Sequence, residues 1–194
     1  MKYVWTAIRM TIVTAVIAGI IYPLAMTGVA QVVFPGKADG SLIKRNGVVI
    51  GSSLIGQSFT GAKYFLSRPS AAGSGYDAMD SSFSNLGPTS RTLAERVRAA
   101  VKAEIAANPG LKFGAVPIDM VTTSASGLDP DITVANARAQ APRVATARGM
   151  SVPAVLVLVA RHTTGRELGF LGEPVVNVLQ LNLALDAGQG AASP

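Results

Sequence analysis

The sequence predicts an α+β chain: one N-terminal transmembrane helix followed by a single mixed α/β domain. Three observations carry this. No charged residue lies between Arg9 and Lys37, and roughly 20 apolar residues suffice to cross the hydrocarbon of a bilayer. Downstream of that run both helical and alternating apolar patterns occur, without a repeated βαβ rhythm. The remainder of the chain is roughly 155 residues, an ordinary size for one domain. The boundaries are residues 1–9 as a short N-terminus, 10–34 as the spanning helix, 35–187 as the soluble domain and 188–194 as a flexible tail.

The rival reading of the N-terminus is a cleaved signal peptide, with Lys2 and Arg9 as its basic region and Gly28-Val29-Ala30 as its cleavage site. The apolar run exceeds the roughly 7–15 residues of a signal core and favours an uncleaved anchor. Pro23 lies inside the span, where Thr27 or a neighbouring helix can satisfy the carbonyl that proline leaves free. Gly19, Tyr22, Pro23 and Gly28 are the expected helix-packing positions, because small residues admit close backbone approach. Lys2 and Arg9 flank one end of the span, and Lys37, Lys44 and Arg45 the other. Charge counting therefore does not choose its orientation.

The domain opens with a hairpin over 41–51, since Asn46-Gly47 supplies the two positive-φ turn positions. Residues 56–85 are rich in Gly, Ser and Pro and read as loop, with a short strand around Tyr64-Phe65-Leu66. Leu93, Val97, Val101 and Ile105 form one stripe of a helix over 90–107, and Thr92 and Glu95 have capping-box spacing. Val116 to Val121 reads as a strand. Asp129-Pro130 starts a helix that Pro142 interrupts near Ala141, with a short helical piece resuming to Gly149. Ser151 caps a helix over 152–163. Leu179, Leu181, Leu183 and Leu185 alternate with Gln180, Asn182, Ala184 and Asp186, the period of a half-buried strand.

Composition narrows the chemistry. There is no cysteine, so disulfides, thiolate metal sites and a cysteine nucleophile are excluded. The formal net charge of +6 is spread along the chain among acids, with few aromatics to stack on bases, which argues against a nucleic-acid partner. Gly51 to Ser58 has the glycine spacing of a phosphate loop, but Gln57 stands where the phosphate-holding lysine belongs. His162 is the only histidine. A membrane-tethered hydrolase would use it beside a serine and an acid, yet it sits where an imidazole can simply face the last carbonyls of a helix. No metal set emerges: Asp129 and Asp131 are explained by capping, and Asp39, Asp77, Asp80, Asp119 and Glu173 are scattered. The sequence points to no catalytic residue.

The loop segments are distinctive in their wording. Tyr22-Pro23-Leu24, Gly51 to Phe59, Tyr64 to Ser70 and Ser84 to Pro88 precede Thr123 to Pro130, Gln140 to Ala145 and Val176 to Asp186. In this order the chain resembles the C-subunit family of the bacterial Kdp-type potassium-transporting P-type ATPase. Asp80-Ser81-Ser82-Phe83 departs from that pattern, which has glycines there. The resemblance implies a single-span, non-catalytic accessory subunit of the bacterial inner membrane, with its domain on the periplasmic side. The implied partners are a channel-like potassium subunit, the ATP-hydrolysing P-type subunit and the lipid bilayer. Potassium is the transported ion, ATP is bound by the partner, and the chain itself needs no cofactor. A stabilising and catalytic-chaperone role is implied as well. Gln140 belongs to a stretch associated with nucleotide contact, but a periplasmic domain cannot reach cytoplasmic ATP. A place at the potassium entrance fits the anchor better.

Overall fold

The computed structural model describes residues 2–190. It divides into two units, Met1–Ser52 and Ser53–Pro194.

The first unit is built on the apolar run. Helix α1 (Lys2–Val16), a π-helical turn (Ile17–Ile21) and helix α2 (Tyr22–Val33) make one continuous rod of 32 residues, none of them buried. It begins well before residue 10. The π turn lies directly ahead of Pro23, which has no N–H to give the ladder, and the Tyr22 N–H reaches back to the Ile17 carbonyl instead. Thr27 Oγ1 donates to the Pro23 carbonyl at 2.8 Å. A short helix α3 (Pro35–Ala38) leads to strands β1 (Leu42–Arg45) and β2 (Val48–Ser52), paired antiparallel with a register shift between Ile43 and Lys44. Asn46 and Gly47 take φ of 51° and 79°, the positive-φ pair the hairpin requires.

The second unit begins with 53–89, which contains turns and bends but no strand or regular helix. The strand expected at Tyr64-Phe65-Leu66 is absent, because side chains rather than neighbouring strands take up its backbone groups. Helix α4 (Arg91–Ala107) presents its half-buried stripe as the spacing requires, but Ser90, not Thr92, is its cap and accepts from the Leu93 N–H. The segment expected as a strand at 116–121 is instead a 3-10 turn, Ile118–Met120. It buries Asp119 and Met120 and leaves Ile118 exposed, an inside-outside pattern too short to distinguish from strand alternation.

Strand β3 (Asp131–Thr133) occupies the place where a helix was expected to start. Asp129 Oδ1 does accept a local hydrogen bond, from the Asp131 N–H, but this shapes the turn into the strand. Helix α5 (Val134–Arg148) starts later, capped by Thr133 Oγ1, and ends on Gly149 at φ 63°. Pro142 does not interrupt it. The carbonyl this proline deprives of a donor belongs to Arg138, an exposed residue. Helix α6 (Val152–Arg161), capped by Ser151, precedes β4 (Thr163–Thr164) and β5 (Val175–Asn177). The Leu179–Asp186 strand is corrected to helix α7 (Val178–Gly190), so helix continues into the expected tail; residues 191–194 lie outside the described residues. On that helix Val178, Leu181, Asn182 and Leu185 share one buried face at i, i+3, i+4 and i+7.

The sheet order is β3-β5-β4, all antiparallel, with Ile132 opposite Val176 and Thr163 opposite the same valine. Ile132 and Val176 enter one core with Ala137, Ala141 and Val144 of α5, Val155 and Val159 of α6, and Leu181 and Leu185 of α7. Phe65 reaches this core from the irregular stretch and is fully buried.

Candidate functional site

The interior feature that stands out is polar. Asn136, Gln140 and Arg143 recur at i, i+4 and i+7 on α5, so their side chains line one face. All three are buried, with Gln140 2 % exposed. Asp119 accepts from the Thr133 N–H at 2.8 Å, from Thr133 Oγ1 at 3.0 Å and from Asn136 Nδ2 at 3.0 Å. Asn136 Oδ1 in turn accepts from Gln140 Nε2 at 2.7 Å, and Gln140 Oε1 accepts from the Arg143 guanidinium at 2.6 Å. Arg143 Nε donates to Asn108 Oδ1, and Asn108 Nδ2 donates to the Glu104 carboxylate and carbonyl.

This chain of bonds holds the segment around Leu66 in place of a strand partner. The Leu66 N–H donates to Gln140 Oε1 at 2.7 Å, and Gln140 Nε2 donates to the Leu66 carbonyl at 2.9 Å. One residue earlier the Phe65 N–H and carbonyl make the same pair of bonds, both 2.9 Å, with Asn182 of α7. Two side-chain amides thus stand in for neighbouring strands. Arg143 adds bonds to the Ala62 and Tyr64 carbonyls, and Arg148 binds the Lys63 carbonyl and Asp186 while lying 5.1 Å from the Tyr64 ring. The Gln140 carboxamide uses both donors and both acceptor positions in this way, so any ligand would have to displace one of these bonds.

Burial dominates the electrostatics. It lowers the Arg143 pKa, against the neighbouring Glu104 charge, and raises that of Glu104, against the Asn108 hydrogen bond and Arg143. Asp131 is likewise raised by burial, opposed by the bond from Asn177. Asn177 also caps α7 by accepting from the Gln180 N–H, repeating at β5–α7 the device Thr133 provides at β3–α5.

The remaining sequence candidates do not converge on this place. His162 is half-buried at the end of α6, where its N–H closes the helix on Leu158 and Val159. Among the described residues its ring has no hydrogen bond to a serine or an acid, and the hydrolase reading is not supported. Gly56, in the loop resembling a phosphate binder, donates its N–H to the Leu128 carbonyl at 2.7 Å. A Cβ there would collide with the Asp129 carbonyl, so the glycine serves close packing of two chain segments. Arg68 joins the same segments by an ion pair to Asp129 at 2.9 Å. No three His, Cys, Asp or Glu side chains among the described residues are grouped to hold a metal ion. Gly19, Tyr22, Pro23 and Gly28 lie on the exposed rod, at and just beyond the π turn.

Sequence reasoning does not reach Asn136, Arg143, Arg148 or Asn182 as functional positions. The available signal is a helix rich in alanine with polar residues at spacings of four and three, a pattern easily taken for a solvated face.

An apolar rod ahead of an α+β unit whose buried polar groups bind its own backbone describes a chain of the membrane-anchored class. The family described as KdpC, the K+-transporting ATPase c chain, matches residues 4–187, and the protein belongs to it. A potassium-transporting ATPase KdpC subunit of Koribacter versatilis is 55 % identical over 193 residues, covering 100 % of this chain and 98 % of that one. The subunit so named in Acidobacterium capsulatum is 56 % identical over 188 residues, covering 96 % and 98 %. That of Rhodospirillum rubrum is 57 % identical over 170 residues, covering 88 % of each.

Proposed function

We propose that this chain is the single-span accessory subunit that stabilises a potassium-transporting ATPase in the inner membrane, with its Ser53–Pro194 unit on the periplasmic side. As a family member it is a subunit of that pump and not the chain that hydrolyses ATP. The observation that carries the reading is the rod Lys2–Val33, apolar and without a buried residue. In hydrocarbon the ladder defect at Pro23 calls for a neighbour, and Gly19, Tyr22, Pro23 and Gly28 are the positions at which partner helices pack. The partners are the channel-like potassium subunit and the P-type subunit. ATP stays on the latter, potassium is the cargo, and support of ATP use is indirect. In this reading Gln140 clamps Leu66 and does not contact nucleotide.

Placement is testable because the chain has no native cysteine. Lys112→Cys, at an exposed position, is expected to react with a membrane-impermeant maleimide in intact cells. Reaction only after lysis would overturn the periplasmic placement. A tagged chain is expected to retain both larger subunits in mild detergent, and purification alone in every detergent would overturn the accessory role.

A further inference from the structure

The segment between β4 and β5 displays apolar side chains on a rigid turn. Leu168 is 84 % exposed and Phe170 67 %, with Leu171 about half exposed behind them. The turn is closed by reciprocal backbone bonds between Glu167 and Leu171, both 2.9 Å. At its base one guanidinium nitrogen of Arg166 donates to both Glu173 oxygens at 2.7 Å. Leu168 itself takes φ of 51°, a left-handed conformation that is costly for a leucine. A strained, pinned turn that holds leucine and phenylalanine in water is the arrangement expected of a surface that another molecule covers.

Beneath the turn is a cleft of about 440 Å³, lined by Glu167, Glu173 and Asp131, with Leu171 in its wall and no Lys, Arg or His among its lining residues. Arg166 already neutralises Glu173, which leaves Glu167 and Asp131 as carboxylates without an ion pair among the described residues, a local reversal of sign in a chain of formal net charge +6. We infer that the Leu168–Phe170 tip and the acidic cleft behind it form the docking surface for an extramembrane segment of another subunit of the same ATPase. That segment sets apolar side chains against the tip and a lysine or arginine into the cleft. The inference rests on the proposed subunit role. The carboxylates of Glu167 and Asp131 would repel anionic headgroups, which favours a basic protein segment over a lipid surface.

The test uses the full complex. p-Benzoylphenylalanine in place of Phe170 is expected to cross-link to a larger subunit, whereas the same probe in place of Met79, 98 % exposed, is not. Glu167→Lys should lower the yield at position 170 about tenfold, as expected for like charges brought together, with the melting temperature of the chain unchanged. Cross-links only to lipid, only to a second copy of this chain, or unaltered by Glu167→Lys would overturn the inference. A probe in place of Tyr22 separates the two readings. If Tyr22 cross-links to a partner and position 170 does not, the docking surface is wrong and the subunit role stands. If neither does and no larger subunit co-purifies, the subunit role falls with it.

Discussion

Two stretches of comparable length solve the backbone problem in opposite ways. Lys2–Val33 satisfies nearly every peptide group within itself and buries no side chain. Residues 53–89 form no regular element, yet they place Phe65 and Ala72 fully inside the protein. Apart from the gap at Pro23 the rod is complete as backbone and depends on its surroundings for its side chains. The loop is secure in its side chains and depends on Gln140, Arg143, Arg148 and Asn182 for its backbone. Regular structure is therefore a poor guide to which part of this chain is held firmly.

The contrast can be broken most strongly at Arg143. Arg143→Met strips the Ala62 and Tyr64 carbonyls, Asn108 and Gln140 of a charged donor. A loss of about 3 kcal/mol or more is expected, read by denaturant unfolding of the Ser53–Pro194 unit. An unchanged midpoint would mean that the loop holds without its clamp. A smaller effect is expected at Pro23. Pro23→Ala restores an N–H to the ladder and should leave the unfolding of Ser53–Pro194 unaffected. It should weaken retention of partner subunits by about 1 kcal/mol, several-fold in co-purified yield.

The smallest effect is electrostatic. Burial raises the folded-state pKa of Glu104, so the folded protein binds that proton more readily than the unfolded chain does. This contribution is fully present below the unfolded carboxyl pKa and is lost as pH rises through the folded value. Glu104→Gln should gain stability relative to the native chain as pH rises above the ordinary glutamate value of about 4.3. Parallel pH profiles for the two proteins would contradict it.

The features legible in the sequence are those that local chemistry decides. Asn46-Gly47 fixes a hairpin turn, the four-residue stripe Leu93 to Ile105 fixes α4, and Ser151 fixes the start of α6. The span is legible because apolar length alone defines it. The elements that resist reading depend on distant partners. Over eight residues, leucines at 179, 181, 183 and 185 suit a strand or a helix about equally. The deciding fact is that Asn182, assigned to solvent by alternation, is buried against Phe65. At Pro142 the helix runs on, and the residue left without a helical donor, Arg138, is exposed, a property of the assembled surface. Gln140 stands out through resemblance, but its bonding to Leu66 depends on a separation of 74 positions.

The paired bonds to Phe65 also bear on how the protein is made. Asn182 lies 117 positions beyond Phe65, so the ribosome must deliver that whole intervening stretch before the phenylalanine can be secured. Until α7 arrives, the segment around Phe65 waits as an unpaired, partly apolar ribbon. Helix α7 is thus the latch of a loop made 117 positions earlier, and a chain truncated before Asn182 would leave that loop open to proteases however well its N-terminal rod had inserted.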